Sequence, residues 1–255
     1  MMGAAAADGY RSADCGSSRI PMKLVTWNCR IGGFRKKAAH VAKLRPDVLA
    51  VQEVEPIDSL LLFAGECQPT FRDRVGDPAN PRRAIGMFSY TDLALVPVDA
   101  SDPMYAFRRY EASRNGVSFN IAAVWPSQTK SVKTSYRQAH EGLSHHASWI
   151  SERPTVILGD FNANASFKGN NWKDLLGLLR SFGLVSAYHR YFNEALGKEQ
   201  RPTHFWRGRE ASSFHLDYCF IPEEWSSQIK EVSVGTYADW HRVSDHAPLI
   251  VDLDM

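Results

Sequence analysis

The segment Val156–Ala165 restricts the fold of this chain more than any other part of the sequence. It begins with the branched apolar run Val156–Leu158 and continues with Gly159, Asp160 and Asn162. A short, continuous apolar run is typical of a strand that is buried on both faces. Gly159 permits a tight turn, and side-chain alternation then brings Asp160 and Asn162 to one point. The segment predicts either a strand that delivers two polar groups to a site or a plain strand-to-loop turn, in which these residue types are common.

Length and composition indicate a folded protein with a substantial core. A chain of 255 residues suits one large α/β domain or two small ones. Its composition, 44% hydrophobic and 23% charged, is that of ordinary globular proteins, and it has no apolar run long enough for a membrane span. The net charge of +2 is too small to indicate a nucleic-acid-binding protein by itself, although a local basic strip would be sufficient for binding.

The cysteines and the N-terminal segment bear on cellular location. Cysteine occurs at scattered positions with no metal-ligand spacing, namely Cys15, Cys29, Cys67 and Cys219. A disulfide framework or a zinc site is not expected, whereas a reducing, cytoplasmic location is expected. Residues 1–21 are rich in Ala, Gly and Ser and lack the apolar core of a secretory signal. We therefore expect a disordered leader followed by a single domain of residues 22–255.

Short strands and helices alternate through this predicted domain. Apolar periodicity predicts helices at Phe34–Leu44, Ser135–Ile150 and Asn170–Phe182. Besides the strand at Val156, strands are predicted at Lys23–Cys29, Asp47–Glu53, Ala84–Ser89, Leu93–Pro97, Tyr105–Tyr110, Val117–Trp125, Thr203–Trp206, Phe214–Ile221, Glu231–Thr236 and Ala247–Leu253. The third and fourth of these strands are expected to pair through a turn at residues 90–92, and Asn115–Gly116 is a strong hairpin signal. The pattern predicts two packed sheets flanked by helices.

Polar residues stand at or next to the ends of several predicted strands. They are Asn28, Glu53, Asp160, Asn162, Asp217, Asp245 and His246. Strand ends are where α/β proteins place their sites, and carboxylates without cysteine favour Mg²⁺ or Mn²⁺ over zinc. A histidine held by a carboxylate can face an anion. A metal, an acid–base pair and an amide together meet the requirements of phosphate ester hydrolysis.

A purely structural role would also explain most of these residues. Asn28 suits a hydrogen bond at a strand end, and Asp217 suits an exposed strand face. Asp245–His246 suits a turn before the last strand. Glu53 is harder to explain in this way, because a carboxylate that follows an apolar run is buried at a cost unless it is paired or bound to a metal.

Five short motifs carry a resemblance to a known family. In chain order they are Thr26–Cys29, Val51–Glu53, Gly159–Asn162, His215–Tyr218 and Ser244–His246. With these motifs the chain resembles, over residues 23–253, the endonuclease/exonuclease/phosphatase superfamily of exonuclease III, apurinic endonucleases, deoxyribonuclease I, sphingomyelinases and inositol-polyphosphate phosphatases, and within it a branch of small bacterial proteins. The resemblance implies an α/β (α+β) fold, a four-layered sandwich with two packed, mainly antiparallel mixed β-sheets flanked by helices. It also implies a phosphoester hydrolase that depends on Mg²⁺, with Mn²⁺ as the alternative.

The resemblance assigns metal binding to three positions. Glu53 is similar to the principal metal ligand of the family, and Asn28 to a neighbour that helps to place the metal or its water. Asp245 is similar to a second acidic residue near the metal. The number of metal ions stays open.

Catalytic roles are implied at four further positions. Asp160 resembles the residue that orients or deprotonates the attacking water, and Asn162 resembles the amide that holds a phosphate oxygen. His246 resembles the histidine that contacts the scissile phosphate, with Asp217 fixing its ring and raising its pKa. Which residue acts as the general base stays open.

The sequence departs from the family pattern after the strand Val117–Trp125. Most relatives have His or Tyr there, whereas this chain has Trp125, which can donate from its indole N–H, stack on a base or sugar, or simply pack. Gln128 and Tyr136 are candidates for the missing phosphate contact, as are two nearby lysines. His215 is a further candidate for substrate binding.

The sequence leaves three alternatives open for the function of the protein. Basic clusters at residues 35–37, 82–83, 108–114 and 130–137, with the loop Pro202–Gly208, could form a rim for a nucleic-acid backbone, or they could be ordinary solvated surfaces. The first hypothesis is a nuclease that cleaves DNA or RNA. The alternatives are an enzyme for a small or lipid-like phosphorylated molecule and, third, a non-catalytic binding protein on the same fold.

Overall fold

The computed structural model describes residues 20–30, 33–56, 68–77, 80–99, 106–126, 135–167 and 171–255. Its strands are β1 (Pro21–Asn28), β2 (Val48–Gln52), β3 (Phe71–Asp77), β4 (Asn80–Ser89), β5 (Ala94–Pro97), β6 (Phe107–Arg114), β7 (Val117–Val124), β8 (Thr155–Asp160), β9 (Leu184–Ser186), β10 (His204–Phe205), β11 (Ser213–Phe214), β12 (Asp217–Pro222), β13 (Ile229–Val234) and β14 (Leu249–Asp254). Its helices are α1 (Phe34–Ala42), α2 (Ser135–His145), α3 (Ala147–Glu152), α4 (Trp172–Ser181), α5 (Ala187–Phe192) and α6 (Tyr237–Trp240). None of these helices is long and apolar enough to cross a membrane.

Two six-stranded sheets form the centre of the fold. The first has the order β13-β14-β1-β2-β4-β3 and the second the order β5-β6-β7-β8-β12-β9. Only the pairs β1–β2 and β7–β8 are parallel among the paired strands of these two sheets in the described part of the chain. The prediction of two mixed, mainly antiparallel sheets is confirmed.

Three apolar clusters account for the layered packing. The cluster between the sheets contains Leu24 and Leu249 from the first sheet and Ile121 and Val156 from the second. A second cluster packs α1 and α6 on the outer face of the first sheet, and a third packs α2 and α4 on the outer face of the second. Because each strand at the centre is covered on both faces, strands such as β8 are buried along their whole length.

Most of the predicted elements lie where the sequence placed them. Helix α4 has Trp172, Leu175 and Leu179 buried on one face, as its periodicity predicted. The hairpin between β6 and β7 is confirmed, and its turn residues Asn115 and Gly116 have the positive φ angles of 50° and 82° that such turns require.

Several local predictions were wrong, among them the single strand Phe214–Ile221, which the structure divides into β11 and β12. The strands now seen as β4 and β5 do not pair, because the turn between them carries the chain from the first sheet to the second, where Leu93 and Leu95 enter the core between the sheets. Strand β3 was missed, because it lies at an outer edge of the first sheet and the three consecutive charged residues Arg72–Arg74 interrupt any apolar pattern. The single helix predicted at Ser135–Ile150 is divided at His146 into α2 and α3. Residues 1–19, most of the predicted leader, lie outside the described residues.

Gly159 lies inside β8 rather than in the predicted tight turn, and the close contact between β7 and β8 requires it. It has a φ of 154°, and a Cβ atom there would lie 1.9 Å from the carbonyl oxygen of Val124. We expect Gly159→Ala to lower the free energy of unfolding by about 3 kcal/mol or more, because backbone atoms on both sides would have to move. Urea denaturation of the purified variant measures this loss.

Gly177 provides the matched control for that variant. It lies within α4, and a Cβ atom there would meet nothing within 4 Å. Gly177→Ala should raise the free energy of unfolding by roughly 0.5–1 kcal/mol through helix propensity. Equal effects of the two substitutions would contradict the steric explanation for Gly159.

Candidate active site

Asn28 joins the two sheets at the ends of their central strands. It is the last residue of β1, and its Nδ2 donates to Glu53 Oε1 at 3.1 Å and to Asp160 Oδ2 at 2.9 Å. Glu53 follows the parallel neighbour β2, whereas Asp160 ends β8 in the other sheet. Glu53 has a φ of 65°, a conformation that costs a non-glycine residue energy and is typical of functional sites. One amide therefore holds two carboxylates from different sheets.

His246 lies between two buried carboxylates. Its Nδ1 is 2.8 Å from Asp217 Oδ2 and its Nε2 is 3.9 Å from Asp160 Oδ2. Burial by itself lowers the pKa of His246, but the charges of Asp217 and Asp160 outweigh it and raise that pKa to about 10. Burial also raises the pKa of Asp160, to about 7, although the charge of His246 opposes the rise. His246 is therefore held as a cation, and the Asp160 carboxylate is more basic than that of an exposed aspartate.

Asn162 follows Asp160 in a left-handed conformation, with a φ of 48°. Its backbone N–H donates to Asp160 Oδ1 at 2.8 Å, and its Nδ2 donates to the carbonyl of Pro126 at 3.2 Å. The intervening Phe161 is fully buried among aromatic rings on the helix side of the second sheet. Asp160 and Asn162 lie together as predicted, but the left-handed conformation of Asn162 after the end of β8 places them there rather than strand alternation, and the segment that follows β7 fixes the Asn162 amide.

Asp245 lies at the outer side of this group. Its Oδ2 is 3.7 Å from Arg30 Nε, and its side chain is 26% exposed, against 64% for Arg30. The charge of Asp245 also contributes to the raised pKa of His246. The Asp245 carboxylate is therefore accessible to a ligand, and it forms an ion pair with the exposed side chain of Arg30.

Two hydroxyl groups hold these residues in place, and one of them, Ser244, belongs to a motif already noted in the sequence. Thr203 Oγ1 accepts hydrogen bonds from the N–H groups of Leu216 and Asp217, at 2.9 and 3.0 Å. Ser244 Oγ donates to the carbonyl of Asn28 at 2.8 Å. Thr203 lies in none of the five motifs, because threonine is common and its contacts depend on the tertiary structure.

His204 was not singled out in the sequence, although it lies in the loop Pro202–Gly208 that was considered as part of a substrate rim. Its ring centroid lies 4.5 Å from that of His246, and a single antiparallel bridge joins the backbones of the two residues. Burial and the neighbouring charge of His246 lower the pKa of His204 to about 4. His204 is therefore neutral beside the cationic His246, which avoids a repulsive contact.

The predicted substrate-binding residues are more widely separated than the residues around Asn28 and His246. Trp125 is 7% exposed, and its indole N–H is buried without a partner among the described residues. Tyr136 lies in α2, where burial and Asp174 raise its pKa, and His215 is 2% exposed with its Nδ1 2.8 Å from the carbonyl of Arg201. Gln128 lies outside the described residues. Substrate binding by these four residues stays a prediction.

Next to His215, a partly buried Ser–His–Glu chain supports the second sheet. His189 has its Nδ1 2.8 Å from Ser186 Oγ and its Nε2 3.1 Å from Glu199 Oε1. Burial tends to raise the pKa of Glu199, but hydrogen bonds from His189 and from the backbone N–H of Gly197 lower it to about 2. Because this pKa is below that of the unfolded chain, the ionised Glu199 stabilises the folded state above pH 4.5 or so, and the stabilisation is lost as the pH falls towards 2.

We expect Glu199→Gln to lower the free energy of unfolding by about 2 kcal/mol at pH 7. The difference from the unsubstituted protein should narrow as the pH falls through the range from 4.5 to 2, and urea denaturation at several pH values measures it. Glu223→Gln is the control, since Glu223 is 62% exposed and pairs with an exposed arginine. A constant difference at every pH would show that the Glu199 charge is not the cause.

The donor set of the site suits a divalent cation. Ligand atoms of Asp160, Asp217 and His246 all lie within 4.8 Å of one another, and Asp217 Oδ1 is buried without a partner among the described residues. However, His246 already engages Asp217 and is cationic, so it is a poor metal ligand. The better donors are the oxygens on the side of Glu53 and Asn28, because carboxylate and amide oxygens suit a hard cation.

Two mixed sheets that meet at a buried carboxylate–histidine site define the class of α/β sandwich hydrolases that act on phosphate esters. The chain belongs to the Endonuclease/Exonuclease/phosphatase family, whose model matches residues 25–246. No curated protein sequence matched the chain.

Solved structures share this fold at low sequence identity. The 3′ phosphatase NExo from Neisseria, bound to a product DNA hairpin, has a TM-score of 0.65 and 17% identity over 92% of this chain and 100% of its own. The endonuclease domain of TRAS1, a telomere-specific non-LTR retrotransposon, has a TM-score of 0.66 and 13% identity over 92% and 99%. Humanized TDP2 from D. rerio has a TM-score of 0.66 and 12% identity over the same shares. At such identities the likeness shows the fold.

Proposed function

We propose that this protein is a divalent-metal-dependent nuclease that cleaves phosphodiester bonds of DNA or RNA through attack of water. The observation that carries the proposal is the pairing of Asn28-linked carboxylates with the buried, cationic His246. The first group suits a metal and its water, and the second suits the anionic phosphate. The family match supports the reaction class.

Glu53, Asn28 and Asp245 would hold the metal, with Mg²⁺ as the expected ion and Mn²⁺ as the alternative. Bound there, the cation would neutralise the charge of the phosphate. Glu53 offers a carboxylate that is fixed by Asn28, and Asp245 is exposed enough to reach a ligand. All three residues should therefore contribute to the metal affinity, and Glu53 should contribute most.

Three other side chains would act on the substrate and on water. Asp160, with a pKa of about 7, would orient the attacking water and accept its proton. Asn162 would hold a phosphate oxygen with its amide, and His246 would donate from Nε2 to another oxygen of the phosphate. Asp217 would keep the His246 ring oriented and charged through the contact at Nδ1.

The names of the structural neighbours support nucleic acid as the substrate. One is a phosphatase bound to a DNA hairpin and another is an endonuclease domain. Exposed arginines near the site, such as Arg30 and Arg207, would attract a phosphate backbone. A small or lipid-like phosphorylated molecule is the alternative substrate, and the assay below distinguishes it.

The direct test is turnover of labelled single- and double-stranded DNA and RNA, with bis-p-nitrophenyl phosphate in parallel, in Mg²⁺, Mn²⁺ or EDTA. Cleavage of a polymer that requires metal and that Glu53→Gln and His246→Ala both lose would establish the proposal. Turnover of the small diester alone would favour the alternative substrate class. Metal binding without turnover of any substrate would contradict the proposed nuclease and favour a binding protein.

A further inference from the structure

The short hairpin formed by β10 and β11 is attached directly to the segment that carries His246. The Phe205 N–H donates to the carbonyl of Asp245 at 2.7 Å, and the Ala247 N–H donates to the carbonyl of Thr203 at 2.8 Å. These two hydrogen bonds flank the bridge between His204 and His246. The start of the hairpin is therefore held in a fixed position relative to the phosphate-binding histidine.

A row of rings runs from His246 to the surface along this hairpin. The ring centroids of His246 and His204 are 4.5 Å apart, and those of His204 and Trp206 are 6.1 Å apart. His204 is 9% exposed, whereas Trp206 is 53% exposed. The guanidinium of Arg207 lies 5.9 Å from the centre of the Trp206 ring. The row ends in an exposed indole with a cation beside it, one ring away from His246.

Packing does not explain this exposed tryptophan. Leaving more than half of an indole in water forfeits much of the stabilisation that its burial would give. A lipid chain would need a continuous apolar surface, but the residues that follow Trp206 are exposed and mostly polar, namely Arg207, Gly208, Arg209 and Glu210. A flat aromatic face beside cations suits a ligand that is itself flat and carries negative charge.

We propose that Trp206, with Arg207, is a stacking site for an unpaired nucleobase next to the phosphate that is cleaved. This inference rests on the proposed nuclease function and names its substrate class as single-stranded nucleic acid, or a duplex whose end is unpaired. A base within a duplex has both faces covered by its neighbours, so that only an unpaired base offers a face to the indole. His204 links the two parts of the site, because its ring centroid lies 4.5 Å from that of His246 and 6.1 Å from that of Trp206.

The test compares two oligomers that have the same backbone charge. One is a fluorescent oligo-thymidylate, and the other is an oligomer of the same length made of tetrahydrofuran abasic units. Turnover is measured with Mg²⁺, and binding by fluorescence anisotropy is measured in a Glu53→Gln background that does not cleave. Trp206→Ala should weaken binding of oligo-thymidylate and raise its KM by roughly 10- to 100-fold, with little change on the abasic oligomer.

Two variants separate stacking from folding. Trp206→Phe keeps a ring and should recover most of the binding. Tyr191→Ala removes another exposed aromatic side chain, 43% exposed in α5, and should leave both oligomers unaffected. Equal losses on both oligomers, or no loss on oligo-thymidylate, would overturn the stacking site.

The same experiment distinguishes failure of this inference from failure of the proposed function. If the small diester is hydrolysed but neither oligomer is bound or cleaved, the nuclease proposal and the stacking site both fall, whereas hydrolysis of phosphate esters stands. If both oligomers are cleaved equally well with and without Trp206, the nuclease stands and only the stacking site is wrong.

Discussion

Asp160→Asn is expected to reduce kcat by about 10²- to 10⁴-fold, which is the usual contribution of a positioned general base. Asparagine has the same shape as aspartate but cannot accept a proton from water. The Asp160 carboxylate is fully buried, and its Oδ2 accepts a hydrogen bond from Asn28 at 2.9 Å. An amide nitrogen at that position would face the Asn28 amide donor to donor, and His246 would lose one of its two neighbouring carboxylates. Steady-state kinetics with bis-p-nitrophenyl phosphate or an oligonucleotide measures the loss.

Asp73→Asn is the matched control for Asp160→Asn. Asp73 is also a carboxylate inside a polar network, in which Oδ2 accepts from Tyr110 at 2.9 Å and pairs with Arg108. Its loss should lower stability and leave kcat unchanged for the folded fraction. If Asp160→Asn retained normal kcat while its circular dichroism and unfolding midpoint were unchanged, Asp160 could not be the residue that activates water.

The convergence of the candidate residues could be predicted because their positions follow from local chemistry. Apolar runs define where the central strands end, and Asn28 and Asp160 each occupy the last position of such a strand. Residues that end neighbouring strands in the same direction meet at one edge of a sheet. The hydrogen bond from Asn28 to Asp160, which lie 132 positions apart, depends in addition on how two sheets pack, and the family motifs rather than the periodicity implied it.

The wrong predictions also have a physical cause: they concern features that depend on tertiary structure. Sequence neighbours with a short turn were expected to pair, but the turn before Leu93 changes sheets, which no local propensity encodes. Strand β3 is stabilised by its pairing with β4 rather than by an apolar pattern of its own. His204 has the appearance of an ordinary loop histidine in sequence, and its position beside His246 arises from a backbone bridge between distant segments.

Glu53→Gln should abolish metal-dependent turnover, with kcat/KM reduced by about 10³-fold or more, because the substitution removes a metal-binding charge while keeping the side-chain shape. The glutamine oxygen can still accept from Asn28, so that the fold should be retained. Isothermal titration calorimetry with Mn²⁺ measures the accompanying loss of metal affinity. A variant that binds Mn²⁺ normally would show that the ligand lies elsewhere, with Asp217, whose Oδ1 has no partner in the described part of the chain, as the next candidate.

Glu55→Gln is the closest control that the chain offers for this prediction. Glu55 lies two positions after Glu53, yet its carboxylate accepts the backbone N–H groups of Phe34 and Arg35, both at 2.8 Å, at the start of α1. Loss of that charge should cost about 1 kcal/mol of stability, since a carboxylate at a helix N-terminus is favourable, and should leave kcat/KM and Mn²⁺ affinity unchanged. If Glu53→Gln and Glu55→Gln reduced activity equally, the loss would reflect disturbance of the β2–α1 region rather than removal of a metal ligand. A large loss in the first variant alone would assign the metal-binding role to Glu53.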